Sequence, residues 1–279
     1  MSEFKRVKWL IEPEVFNGEM DHFIDALEET GTDHVAVQFG KSYDHYLRQL
    51  HPYDCVVFHG GFQLANLAKQ AKVFPGIWCN LGEFDCLNYY PRFSRFLFNE
   101  SYEMHRCHSY SILREAVTTW GGAFVRPTGA DKLFAGDVVR NRDELDVLTS
   151  LWRVKGLVER NTPVIVAKAR KILREWRLVI CGKKVVAASQ YKNEGRPDRQ
   201  RGCPDEVVNY ANYILSEVSF NPHPVWVMDI CESQHGTFAL MEVGPFSCCC
   251  LYECDPMKVI PAVNEAALAE WFSQVEMMA

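Results

Sequence analysis

Two acids in the most apolar hairpin of the 279-residue chain are the residues best placed to do chemistry. Val225-Trp-Val-Met-Asp-Ile-Cys231 and Thr237-Phe-Ala-Leu-Met-Glu-Val243 both read as strands, rich in β-branched and aromatic residues. A two-residue turn at His235-Gly236 pairs Gln234 with Thr237 and, in that register, Asp229 with Glu242. The two carboxylates then share a face, with Cβ atoms about 5 Å apart. Such groups repel, and burying them unpaired costs several kcal/mol. A hard divalent cation such as Mg²⁺ answers both problems, because it takes oxygen ligands and bridges carboxylates to phosphates.

A phosphate would need cations and donors nearby. Arg126 ends a strand, and the loop after it carries Gly129, Lys132 and Gly136. Backbone N–H groups of such a loop can close over phosphates. Taken alone, the pattern fits a solvated turn equally well. In Glu175-Trp176-Arg177, alternation places Glu175 and Arg177 on one face and Trp176 on the other. That is either an exposed ion pair or an arginine presented bidentately to phosphate. Pro163-Val-Ile-Val-Ala167 reads as a buried strand with Lys168 at its rim, either plain core or a backbone edge for a purine base. The stretch Lys192–Arg201 is charged and reads as a solvated loop or a lid over a polyanion. His59 precedes Gly60-Gly61 and belongs to no triad; it reads as structural or cleft-lining.

These residues need elements to hold them. Expected strands cover 7–12, 34–39, 55–59 and 73–79, with helices over 19–29 and 62–72 between them, an α/β layer. Residues 81–107 read as an irregular aromatic connector, followed by a helix from Ser109 to Trp120 that stops at Gly121-Gly122. Then come a strand at 123–126, a helix at 143–152, a strand at 163–169, a hairpin over 175–191, helices at 205–218 and 257–274, and the acid hairpin. Hairpins rather than crossovers make this second part α+β. The division is expected at residue 110, giving 1–110 and 111–279.

Composition limits the alternatives. A net charge of −6 argues against a nucleic-acid-coating protein. Met1 to Glu14 is charged and lacks an apolar signal core, and no run of apolar residues suits a membrane span. A cytoplasmic location with reduced thiols is the expectation for the 11 cysteines, and Cys248-Cys249-Cys250 with Cys254 lacks the C-x-x-C spacing of a zinc site.

In chain order, Phe124-Val-Arg-Pro127, the loop with Lys132 and Gly136, the strand Pro163–Ala169, Glu175-x-Arg177, Asp229 and Glu242-Val-Gly-Pro245 resemble the ATP-grasp superfamily. Arg126 stands where the family's Val-Lys-Pro strand has lysine, which is similar to a bacterial and phage clade with arginine there. The resemblance covers roughly residues 80–272 and rests on the ordered set more than on any one motif. It implies an ATP-grasp fold, with a nucleotide between two α+β subdomains, preceded by a small α/β domain. It implies that Arg126, Lys132 and Arg177 contact phosphates, with Arg126 and Arg177 catalytic. Glu175 belongs to the same nucleotide set, the backbone of Ala167, Lys168 and Ala169 meets adenine, and Asp229 and Glu242 hold Mg²⁺. The implied activity is ATP-dependent ligation: a small-molecule or peptide carboxylate becomes an acyl phosphate and an amine or thiol attacks it. An ATP-binding regulatory module and a phosphotransferase are the alternatives. The family's metal motif is Glu-x-Asn; Gly244 stands in the third place here and offers no side-chain oxygen.

Overall fold

The computed structural model describes residues 7–18, 20–38, 42–51, 54–156, 159 and 161–278. Strand β1 (Val7–Ile11) is a largely buried apolar run, as a strand covered on both faces requires. It is followed by α1 (Asp21–Glu29), β2 (Asp33–Ala36), α2 (Tyr43–Leu47), β3 (Cys55–His59), α3 (Phe62–Gln70) and β4 (Pro75–Gly76). The four strands form one parallel sheet in the order β2-β1-β3-β4, the expected α/β layer. The strand expected over 73–79 contracts to β4. Pro75 has no N–H to give, and Gly76 lies so close to β3 that a Cβ would sit 2.7 Å from the Val56 carbonyl oxygen. Phe39 and residue 19, the expected ends of a strand and a helix, lie outside the described residues.

The aromatic stretch 81–107 is not an irregular connector. It holds α4 (Cys86–Phe93), capped by Asp85, whose Oδ1 accepts the Leu87 N–H at 2.8 Å, and β5 (Tyr102–Arg106). Pro91 inside α4 and the polar sequence of β5 hid both elements. Then follow α5 (Tyr110–Trp120), β6 (Ala123–Pro127), β7 (Asp137–Val139), α6 (Arg142–Val154) and β8 (Pro163–Lys168). Helix α5 ends as expected: Gly121 takes φ 67° and donates its N–H to the Val117 carbonyl. The strands make an antiparallel sheet, β5-β8-β6-β7, against which α5 and α6 bury Leu113, Val117, Leu145 and Trp152.

The last part comprises β9 (Ile172–Cys181), β10 (Lys184–Asn193), β11 (Arg196–Arg201), α7 (Asp205–Glu217), β12 (Val225–Ser233), β13 (Phe238–Pro245) and α8 (Pro256–Met278). Its sheet runs β11-β10-β9-β12-β13. The stretch Lys192–Arg201 is therefore largely strand, not loop: it ends β10, turns at Glu194-Gly195 and returns as β11. The mixture of antiparallel sheets with helices is the expected α+β class, joined to the parallel layer.

Two compact units emerge. One comprises Met1–Asn80, Arg174–Cys231 and Glu242–Ala279; the other comprises Leu81–Leu173 and Glu232–Met241. In the first, Trp9, Phe23, Val57, Val179, Val227 and Val263 belong to one apolar core, and the Trp9 indole donates to Asn264 Oδ1 at 2.8 Å. Among the described residues, no helix is long and apolar enough to cross a membrane.

Candidate active site

Arg177 on β9, Asp229 on β12 and Glu242 on β13 occupy three neighbouring strands of one sheet. The Arg177 Nε donates to Asp229 Oδ1 at 2.9 Å, and Nη2 donates to Oδ2 at 2.8 Å. Nη1 donates to the Cys250 carbonyl at 2.7 Å, and Nη2 lies 3.8 Å from Glu242 Oε1. Arg177 is 7% exposed and Asp229 2%, whereas the Glu242 side chain keeps 18% of its surface. Repulsion between the two acids is thus met first by a guanidinium from the adjacent strand. Burial alone would lower the Arg177 pKa; the Asp229 charge and hydrogen bonds hold it well above the ordinary arginine value.

Two aromatic rings complete the seat. Tyr191 and Tyr252 stack at 4.9 Å and 11°, and the Arg177 guanidinium carbon lies 5.2 Å from the Tyr252 ring centre. The Tyr191 hydroxyl donates to Glu175 Oε2 at 2.7 Å and lies 3.4 Å from Asp229 Oδ2. Burial and the Asp229 and Glu175 charges push its pKa well up, so it stays a donor. The exposed-pair reading of Glu175 and Arg177 is corrected here. Glu175 is 6% exposed and bonds Tyr191, with the Lys192 ammonium 3.6 Å away, while Arg177 bonds Asp229.

Local rules explain the placement. The β9–β10 register opposes Ser189 to Arg177 and Lys192 to Glu175, with an irregularity between Gln190 and Lys192. Tyr191 is the surplus residue, and a bulge re-aims its ring. The acid hairpin turns through Gln234-His235-Gly236 rather than through two residues. Gly236 donates to the Ser233 carbonyl at 3.0 Å, and Ser233 to Thr237 at 2.8 Å. Gly236 takes φ 75°, the left-handed residue that follows a type I turn in a three-residue hairpin loop. The pairing expected at the turn is therefore off by one residue, although both carboxylates still reach Arg177.

His59 is fully buried at the end of β3, between the rings of Phe16 and Phe246, and neither ring nitrogen completes a hydrogen bond. Burial drives its pKa down to about 3; the nearby Cys249 backbone opposes this and the Arg177 charge adds to it.

The other expected phosphate and base contacts lie in the second unit. Arg126 is buried, and its Nε donates to the Pro127 carbonyl at 3.2 Å. The loop beyond β6 is tied at both ends. Asp85 Oδ2 accepts from the Thr128 hydroxyl at 3.3 Å, and Phe134 packs on Trp152 at 4.2 Å. Gly136 touches β6, where a Cβ would meet the Phe124 ring at 2.6 Å. Lys132 is exposed, with φ 49°. Strand β8 is interior, with Ala167 opposite Tyr102 on one side and Phe124 on the other. Lys168 pairs with Ala123 alone, and Ala169 donates its N–H to Gly122. The backbone edge begins at Lys168, not along the whole strand.

Asp229 and Glu242 are a hard-oxygen donor set, which suits Mg²⁺ in kind. Among the described residues, no three His, Cys, Asp or Glu side chains converge as a metal-holding group. Gly244 lies outside the left-handed region, and a Cβ there would sit 3.4 Å from Val227 Cγ2. Tyr191, Tyr252 and the Cys250 carbonyl were not anticipated. A bulge, a tyrosine with φ 50° and a backbone oxygen leave no periodic signature.

Comparisons with known proteins place this arrangement. No curated protein matches the sequence. The fold is similar to D-alanine–D-alanine ligase from Bacillus anthracis, with a TM-score of 0.63 at 12% identity, covering 96% of this chain and 99% of that one. It is also similar to D-cycloserine synthetase DcsG, with a TM-score of 0.60 at 14% identity, covering 98% and 100%. A third similar structure is the ATP-grasp ligase PsnB solved with a phosphomimetic precursor, Mg and ADP, with a TM-score of 0.58 at 10% identity, covering 95% and 98%. A family model described as an ATP-grasp domain, family 2 of its clade, matches residues 104–262, more than half of the sequence. The chain belongs to this family of ATP-grasp proteins.

Proposed function

We propose that the protein is an Mg²⁺- and ATP-dependent ligase that joins a carboxylate to an amine or thiol through an acyl phosphate. The observation that carries this reading is the convergence of Arg177, Asp229 and Glu242 on three adjacent strands inside the matched family region. The similar structures named above include ligases, one of them with Mg and ADP, which supports the same class. Bound Mg²⁺ would neutralise phosphate charge and polarise the reacting phosphoryl group.

The chain's own residues have separate tasks in this reading. Arg126 and Lys132 contact phosphates, Arg126 standing where most relatives use lysine. The backbone of Ala167, Lys168 and Ala169 meets adenine, with the edge from Lys168 onward the most suitable part. Asp229 and Glu242 supply the metal's carboxylate oxygens. Arg177 releases Asp229 at least in part and turns its remaining donors to the polyphosphate, while Tyr191 holds Glu175 as a fixed negative neighbour. Residues 1–110 act as the substrate-shaping part in a cytoplasmic protein, with a small molecule or peptide as the carboxylate partner.

The test is a screen of pooled carboxylates with amines and thiols, read by ADP and phosphate release and by mass spectrometry of products. ADP with a condensed product supports ligation. A phosphorylated compound that accumulates without an amide or thioester replaces it with phosphotransfer. Gly244 favours one rival in particular, a nucleotide-binding regulatory module. ATP binding without turnover across all pools would establish that instead.

A further inference from the structure

Cys79 follows β4 and Cys248 closes the short helical turn Phe246–Cys248 after β13. Ser247 fastens these segments side by side. Its Oγ accepts the Trp78 N–H at 2.9 Å and donates to the Gly76 carbonyl at 3.3 Å. The Cys248 thiol then meets Cys79 Sγ at 3.4 Å, as donor to acceptor. The Lys69 ammonium donates to the Cys79 carbonyl. Two anchored backbones, one shared proton and a nearby cation make this more than a chance approach of two thiols.

We propose that Cys79 and Cys248 are a redox site, which a small peroxide converts to a disulfide. Cys79 is the attacking sulfur. The Cys248 hydrogen bond holds its pKa down, against burial and with help from the Lys69 charge, whereas Cys248 is pushed far up by donating to it. Burial instead raises Cys107 and Cys203 to about 11. The thiolate, not the thiol, is the nucleophile, so these groups start at a disadvantage. Cys79 is only 3% exposed, which selects a small oxidant over a bulky disulfide.

The Cys79 thiolate attacks one peroxide oxygen and the O–O bond breaks. Sulfenic acid forms, and the departing hydroxide takes a proton and leaves as water. With the thiolate charge gone, Cys248 is no longer held up by its neighbour. Its sulfur attacks the Cys79 sulfur, the S–O bond breaks, and a second water leaves with the Cys248 proton. Two thiols lose two electrons and two protons, and the peroxide becomes two waters. The new bond draws the sulfurs from 3.4 Å to about 2 Å, a movement the partly exposed turn at Cys248 can supply.

The full-length reduced protein treated with hydrogen peroxide, quenched in acid and alkylated, is the material to examine by peptide mass spectrometry. The expected result is a Cys79–Cys248 linked peptide, lighter by two hydrogens and restored by dithiothreitol. Cys248→Ser should lose the link and leave Cys79 trapped as a dimedone adduct. The proposal is overturned if both residues alkylate fully while other cysteines oxidise, or if the wild-type protein links Cys79 to a different partner. Neither readout requires nucleotide or ligase activity.

Discussion

Arg177 and Lys132 are both cations assigned to phosphate, yet the protein holds them in opposite ways. Arg177 is buried against Asp229, Glu242 and the Cys250 carbonyl, with two tyrosine rings beside it. Lys132 stands exposed on a loop whose anchors are Thr128, Phe134 and Gly136. The first cation is surrounded by protein and the second reaches solvent. A buried charge is tied to the stability of the fold; an exposed one can serve a ligand at little structural cost.

The largest test of this contrast is Asp229→Ala. It leaves a buried guanidinium without its bidentate partner and should cost about 3–5 kcal/mol in urea unfolding. The double variant Asp229→Leu with Arg177→Met should recover much of that loss, because no orphan charge remains. A single-variant loss below about 1 kcal/mol would put Arg177 in the same class as a surface cation.

His59 carries the next effect. Its folded pKa of about 3 lies below the ordinary histidine value, so only the unfolded chain takes up this proton between the two. Stability from this group is complete above about pH 6.5 and falls by about 1.4 kcal/mol per pH unit as pH drops towards 3. His59→Leu should flatten the urea midpoint between pH 6 and 4 relative to the parent; parallel profiles would mean the imidazole finds a partner on protonation.

Lys132→Ala should change stability by less than about 0.5 kcal/mol while raising the nucleotide dissociation constant about tenfold by calorimetry. Unchanged affinity would return the loop to a solvated turn. The smallest effect belongs to the metal end. Gly244→Asn should lower the Mg²⁺ midpoint for nucleotide binding about threefold, roughly 0.7 kcal/mol, by adding an amide oxygen beside Glu242. No change, with the fold intact, would show that the third position is not a ligand position in this chain.

Much of the fold was legible where apolar period and burial agree. Strand β3 and the start of α3 appear where alternation and Gly60-Gly61 put them, and α5 stops at Gly121. Legibility failed where an element buries little. β5 and β11 lie at sheet edges and are mostly polar and exposed, so no apolar alternation marks them. The candidate site divides in the same way. Glu175, Arg177, Asp229 and Glu242 were legible because an acid or arginine inside an apolar strand demands a partner. Which partner each takes depended on the Tyr191 bulge and on a backbone carbonyl, and sequence spacing encodes neither.

Strand β11 has a consequence beyond the site. A sheet that ended on β10 would offer a long unpaired ladder to any neighbouring chain. Instead its last strand reads Arg-Pro-Asp-Arg-Gln-Arg, from Arg196 to Arg201. Pro197 withholds one N–H, and three arginines would face any identical strand with like charge. The segment that reads as a mobile cover is therefore a stop against polymerisation, and it keeps the buried strands behind it from recruiting a second molecule.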